Sequence, residues 1–314
     1  MKRGLLSCTM AAALCSIASV AFAGAYGEEE TTETPAAAPA PPPAAAAEVQ
    51  EEVKVDVLRR WAAFSTDGET SRGLWIEAGL IHAHEEFLQD KPGEGEHDQI
   101  SSFLRVAYGQ ELWEAGAEVS YDWFRQEFDT ALGDVEFDDN GFGDLEVWGK
   151  VIPLRTEYVN AGAGMIVSMP TGEADFRGFQ TYRGSFTTDE WGFDPFVTAG
   201  ISAGPLDIRM SVGYQIYTSF NDYDGLDYNF ALLLPIGDMI VFRNEFDGFH
   251  FSDDLRGTIY ANHDDVLDWV PGFDIRFPVG GSELLIRPTG TVGLTADSRD
   301  WGLGISFAFT GLGG

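Results

Sequence analysis

The side chains able to do chemistry in this 314-residue chain are charges set at alternate positions within apolar runs. Arg105 stands between Leu104 and Val106, Glu118 between Ala117 and Val119, and Asp122 between Tyr121 and Trp123. Asp144, Glu146, Trp148 and Lys150 recur at every second residue, as do Arg243 and Glu245. Arg209, Arg276 and Arg287 complete a set that carries both signs. Every second residue of an extended chain lies on one face, so these residues share a polar face opposite an apolar one. A wet lumen accepts mid-strand charge that the dry core of a sandwich would not. Both signs at one depth create a transverse field and a constriction that select solutes by size and dipole. Trp148, flanked by Glu146 and Lys150, offers a plane on which an aromatic solute can stack. A salt-bridge network filling a closed lumen is the competing arrangement, and the pattern alone fits both.

Other constellations carry less. His82 and His84 are two apart and share one face of a strand near its outer end. A hydrolase would need such a His beside a Ser or Asp nucleophile system. The chain has no H-E-x-x-H helix, and its G-x-S-x-G string, Gly200-Ile201-Ser202-Ala203-Gly204, leads into a predicted strand rather than the helix of a nucleophile elbow, so these are read as interfacial histidines and no catalytic residue is assigned. Glu136, Asp138, Asn140 and Gly141 start like a calcium loop, but Val147 stands where the bidentate Glu is required. Asn140-Gly141 instead predicts a tight turn. The expectation is a protein that is not an enzyme, with no metal and no cofactor.

Charge and composition bound the partners. There are 51 acids against 19 bases, four of them lysine, for a net charge of −32. That excess excludes a nucleic-acid partner, which it would repel. The acids concentrate in two predicted outer loops. Residues 85–99 hold Glu85, Glu86, Asp90, Glu94, Glu96 and Asp98 against Lys91, and residues 125–141 hold Glu127, Asp129, Asp134, Glu136, Asp138 and Asp139 against Arg125. A negative vestibule concentrates cations, more so at low salt, and can share divalent cations with surface lipopolysaccharide phosphates. Its plainer reading is a solvated outer surface.

The elements that must hold these residues begin after a processed leader. Lys2-Arg3, an apolar run from Leu5 to Val20 and the small-x-small end Ala21-Phe22-Ala23 predict a signal peptide over 1–23, which holds both cysteines, Cys8 and Cys15. Residues 24–47 form an Ala/Pro-rich periplasmic linker. Val49, Val53, Val57, Trp61 and Phe64 then predict one face of a short helix within 48–72. That helix is a tether making periplasmic contacts or a plug for the lumen.

From residue 73 to 310 the period is two. Leu206 to Ile216, Leu284 to Leu294 and Ala115 to Tyr121 alternate apolar with polar residues, and no stretch after residue 23 is apolar enough for a membrane helix. Tryptophans stand at strand ends (Trp75, Trp113, Trp123, Trp191, Trp269, Trp301), as an interfacial girdle requires. The predicted fold is all-β, a transmembrane antiparallel up-and-down barrel of about 12 strands. The strands fall near 74–84, 100–110, 115–125, 142–152, 158–169, 191–203, 206–218, 226–234, 239–250, 267–277, 284–296 and 300–310. Segment 254–262 has strand character but would break the even count, so it is placed in an outer loop. Residues 311–314 are a tail.

Phe142-Gly143-Asp144-Leu145-Glu146-Val147 opens a strand, and a later one ends in Met169-Pro170-Thr171-Gly172. Pro271 to Phe277, Gly293-Leu294-Thr295-Ala296-Asp297 and the aromatic strand from Trp301 to Phe309 follow. In that order, over residues 100–310, the chain resembles the outer-membrane transporter family associated with phenol meta-pathway degradation. The resemblance implies a bacterial outer-membrane location, with surrounding lipids and the barrel-assembly machinery as partners. It also implies passive movement of small solutes, aromatic or weakly polar. The chain departs from such barrels in ending on Thr310-Gly311-Leu312-Gly313-Gly314 rather than on an aromatic residue. A closed structural anchor is the alternative, and an outer-membrane hydrolase a more distant one.

Overall fold

The computed structural model describes residues 70–71, 73–87, 95–130, 133–172, 190–218, 224–251, 265–295, 298 and 300–312. The predicted leader, linker and helix up to residue 69 lie outside the described residues, as does segment 254–262.

The runs of period two form β1 (Gly73–Phe87), β2 (Gly95–Gln110), β3 (Trp113–Thr130), β4 (Gly133–Phe142), β5 (Leu145–Arg155), β6 (Val159–Met169) and β7 (Gly192–Ala203). They continue as β8 (Leu206–Tyr217), β9 (Gly225–Ile236), β10 (Ile240–Phe251), β11 (Asp265–Val279), β12 (Ser282–Gly293) and β13 (Trp301–Leu312). Consecutive strands pair antiparallel except β4 with β5, β1 pairs with β13, and a β2–β3 pairing closes the ring. β3 pairs with β5 over Trp113–Glu118 and with β4 over Tyr121–Thr130, so β4 and β5, broken at Gly143-Asp144, make one stave. Thirteen strands thus build a twelve-stave closed barrel, as the alternation predicts.

Outward and inward faces separate cleanly. Ile76, Leu80, Leu104, Val151, Val197, Val212, Leu303, Ile305, Phe307 and Phe309 are exposed, whereas their chain neighbours on the other face are buried. An exposed apolar belt around a closed ring is what a hydrocarbon solvent requires, since every backbone group is paired and no edge is left. Trp113, Trp123, Trp191 and Trp301 are exposed on that face. Trp269 is half-buried, its Nε1 donating to Asn244 Oδ1 at 2.6 Å. Trp75 departs from the predicted girdle, because its indole points inward and donates to Glu77 Oε2 at 3.2 Å.

Turns at one end are tight. Gly280 and Gly281, both at positive φ (57° and 91°), link β11 to β12. Two consecutive left-handed residues suit a primed turn matched to strand twist. By the rule that periplasmic turns are short, this end is called periplasmic and the opposite end outer.

The predicted loop over 126–141 is a correction: β3 and β4 continue as a hairpin, with Asn140 and Gly141 inside β4 opposite Trp123 and Asp122. Cross-strand contacts override the local turn signal. Tyr121 Oη donates to Asn140 Oδ1 at 2.6 Å, and Arg125 meets Glu127 and Glu136 at 2.5 and 2.8 Å. Strand β13 also runs two residues past its predicted end, to Leu312.

Inside, glycines receive aromatic rings. A Cβ on Gly116 would fall within the Trp148 indole, one on Gly79 within Phe103, one on Gly164 within Phe196, and one on Gly225 within Phe249. These rings lie flat against the inner wall over residues that have no side chain.

Candidate functional site

Cross-strand register sets Glu77, Arg105, Glu118 and Glu146 directly beside one another on β1, β2, β3 and β5. Arg105 donates from Nε to Glu118 Oε2 at 2.7 Å and from Nη1 to Glu77 Oε2 at 3.1 Å. Glu77 Oε1 accepts from Arg287 Nη1 at 2.9 Å and from Ser306 Oγ at 2.5 Å. Arg287 Nε donates to Asp274 Oδ1 at 3.1 Å. Arg243 lies 3.4 Å from Asp274 and 3.5 Å from Glu245, whose Oε1 accepts from Asn229 Nδ2 at 2.8 Å. The result is a continuous belt over β9, β10, β11, β12, β13, β1, β2 and β3, eight staves of the twelve.

The belt is dry. Glu77 is 1% exposed, and Arg105, Arg243 and Glu245 are 4%, 4% and 2%. Charges so deeply buried persist only when paired and hydrogen-bonded, and four donors on the one Glu77 carboxylate meet that condition. Arg287 lies 5.8 Å from the centre of the Trp75 ring and Arg105 5.3 Å from that of Phe103, so half-buried aromatics flank the belt on both sides.

A second group stands at the periplasmic mouth. Glu114 Oε1 accepts from Lys150 Nζ at 3.2 Å and from Trp148 Nε1 at 3.3 Å. Its Oε2 accepts from the Ser71 backbone N–H at 2.5 Å. Arg155 Nη1 donates to the Glu111 carbonyl at 2.5 Å and reaches Thr70 Oγ1 at 3.5 Å. The chain therefore approaches β1 fastened to the inner side of this mouth.

Toward the outer end the inward charges are acidic. Asp122 accepts from Ser101, Gln99 and Ser120, and Asp144 from the Gly172 N–H at 3.0 Å. Asp194, Asp227 and Asp268 are buried at the same parity.

The twelve predicted lumen residues distribute as follows. Arg105, Glu118, Arg243, Glu245 and Arg287 join the belt, with Glu146 half-buried beside it. Trp148 and Lys150 join the Glu114 group, while Asp122 and Asp144 belong to the outer acids. Arg209 is half-buried on β8 opposite Gly200 and Ala231. Arg276 shares the parity of Asp274 but is exposed near the periplasmic end and outside the belt. Trp148 is 5% exposed and lies against Gly116, so it presents no free stacking face in this conformation. Sequence reasoning missed Glu77, Glu114, Asp274, Asn229 and Ser306. Parity could have found Glu114, two pairs of residues before Glu118, and Asp274, two before Arg276.

His82 sits level with Ile100, the first outward apolar residue of β2, and His84 one step farther out, level with Trp301. His82 Nε2 and His84 Nδ1 both reach Asp98 Oδ1, at 3.3 and 3.0 Å, beside the Trp301 ring. Among the described residues, no group of His, Cys, Asp and Glu has the arrangement of a metal site.

No known protein family and no curated protein matches the sequence. Solved structures do. The COG4313 outer membrane channel from Pseudomonas putida F1 superposes with a TM-score of 0.56 at 12% identity, over 76% of this chain and 96% of that one. The translocator domain of the autotransporter NalP from Neisseria meningitidis gives 0.46 at 11% identity, over 77% and 90%. The transport unit of the autotransporter AIDA-I from Escherichia coli gives 0.47 at 8%, over 77% and 91%. At these identities the first likeness establishes the fold, a closed barrel of the outer-membrane kind.

Proposed function

We propose that this protein is a bacterial outer-membrane channel that passively moves small solutes. One observation carries the reading: a closed ring, apolar around its outside, keeps arginines and carboxylates at one depth inside. That arrangement serves a constriction lined by opposed charges. The fold shared with an outer membrane channel supports the location and role. The resemblance to the phenol meta-pathway transporters extends the reading to aromatic or weakly polar solutes. It fits the half-buried Trp75 and Phe103 beside the belt. In this reading the chain is exported by its leader and folded by the barrel-assembly machinery. Membrane lipids and lipopolysaccharide then surround it, its N-terminal segment lies in the periplasm, and it performs no catalysis.

The dryness of the belt favours a second reading, a closed barrel acting as a membrane anchor. The attachment of Thr70 and Ser71 at the inner mouth favours residues 48–69 as a plug over a free tether. Single-channel conductance of the refolded protein, with and without residues 24–69, separates these. Discrete openings in both forms support the channel. Openings only after deletion make the segment a plug, and silence in both, with the barrel folded, leaves the anchor.

A further inference from the structure

The three belt arginines are not equivalent. Arg105 and Arg287 hold their carboxylates with hydrogen bonds as short as 2.7 and 2.9 Å. Arg243 makes one hydrogen bond, at 3.5 Å to Glu245, and its Nε, 3.4 Å from Asp274, is buried without a hydrogen-bond partner. Its guanidinium lies over Gly272, where a Cβ would come within 3.1 Å of Nη2. Five N–H donors fixed in one plane are therefore served by one long bond. Thr291, 2% exposed on the inward face of β12, likewise has a hydroxyl without a hydrogen-bond partner. Register sets them two strands and one inward step apart, on either side of Gly272: Arg243 pairs with Gly272, Gly272 with Thr289, and Thr291 is the next inward residue toward the outer end.

Buried polar groups in native proteins are almost always satisfied, so two neighbouring orphans facing one lumen mark a place where something else supplies acceptors. The belt carries four carboxylates (Glu77, Glu118, Glu245, Asp274) against three guanidiniums, so an incoming anion meets like charge. A cation meets Arg243 itself. A neutral group that both accepts and donates meets neither objection.

We propose that Arg243 and Thr291 form a solute subsite for an uncharged amide or alcohol. The solute oxygen accepts from Arg243 and Thr291, and its N–H or O–H donates to Glu245 or Asp274. This deepens the channel reading and rests on it. Arg243 is the belt arginine with the fewest and longest hydrogen bonds, so its guanidinium turns toward the solute while the rest of the belt stays in place.

The test is equilibrium titration of the full, detergent-refolded chain with benzamide, benzoate and toluene, followed by ligand-observed NMR. Saturable benzamide binding is expected, with benzoate and toluene at least tenfold weaker. Arg243→Lys, which keeps the charge and removes the planar fork, weakens benzamide at least tenfold. Thr291→Val, of equal size and neutral, weakens it about threefold and serves where the arginine variant does not fold. Equal binding of benzoate and benzamide, no binding of benzamide, or wild-type affinity in both variants overturns the subsite. Conductance is read separately. A barrel that binds benzamide through these residues without conducting keeps the subsite and overturns the channel, and one that conducts but ignores benzamide does the reverse.

Discussion

Replacing Glu77 by Gln tests whether the belt is packed or hydrated. The substitution keeps shape and removes one negative charge from a carboxylate that accepts four hydrogen bonds: 2.5 Å from Ser306, 2.9 Å from Arg287, 3.1 Å from Arg105 and 3.2 Å from Trp75. Arg105 keeps Glu118 and Arg287 keeps Asp274, so neither is stripped of charge. The Gln amide, however, turns its NH2 toward donors that had an acceptor. Breaking a buried pair from one side costs about 3–5 kcal/mol, whereas an exposed pair contributes about 0–1 kcal/mol. At 1% exposure Glu77 belongs with the first group. The assay is urea unfolding of wild type and Glu77→Gln refolded into lipid vesicles, with Ser306→Ala as a lesser perturbation. A loss of about 3 kcal/mol or more is expected for Glu77→Gln and about 1 kcal/mol for Ser306→Ala. A loss below about 1 kcal/mol for Glu77→Gln refutes the dry belt, because only water-screened charges are so weakly coupled.

Other outcomes follow from the same geometry. Gly116→Val forces a branched side chain into the Trp148 indole and should cost about 1–3 kcal/mol in the same unfolding assay. Asp98→Ala removes the acceptor shared by His82 and His84 and should cost about 1 kcal/mol in that assay. The inward acids Asp122, Asp144, Asp194, Asp227 and Asp268 should give a conducting barrel a cation preference. Reversal potentials should show that preference growing as salt is lowered from about 1 M to 0.1 M, where screening relaxes from about 3 Å to 10 Å.

Much of the fold is written in parity. A one-residue slip would turn Arg105 and Glu118 into the lipid, so alternation alone locates both and fixes their strands in register. It fails where a strand carries no alternation of its own. In β1, Trp75-Ile76-Glu77-Ala78-Gly79-Leu80 has an aromatic and a glycine at inward positions, and Glu77 stands alone as the polar residue there. Its importance comes from β2, β12 and β13, which no local window contains. Trp75 misleads for the same reason, since a tryptophan near a strand end reads as interfacial unless its acceptor is known. The hairpin over 126–141 was hidden by its acids, which suit a loop by composition but are held in strands by Arg125 and Tyr121. The looseness of Arg243 beside the tightness of Arg287 depends on tenths of an ångström and has no signature in sequence.

The carboxylate at the centre of the belt also sets an order of events. Glu77 lies 28 residues from Arg105 but 210 from Arg287 and 229 from Ser306. A chain emerging from its N-terminus can give Glu77 only Arg105 and Trp75 until nearly all of it has arrived. Contacts of such separation form late, because the loop-closure entropy must be overcome first. A stalled or shortened barrel would therefore hold a half-neutralised carboxylate beside its open seam, at a depth where such a charge costs several kcal/mol. Joining the first strand to the last removes that penalty in the step that seals the ring. Completion is thereby favoured over every partial intermediate, and the lumen reports whether the wall is whole.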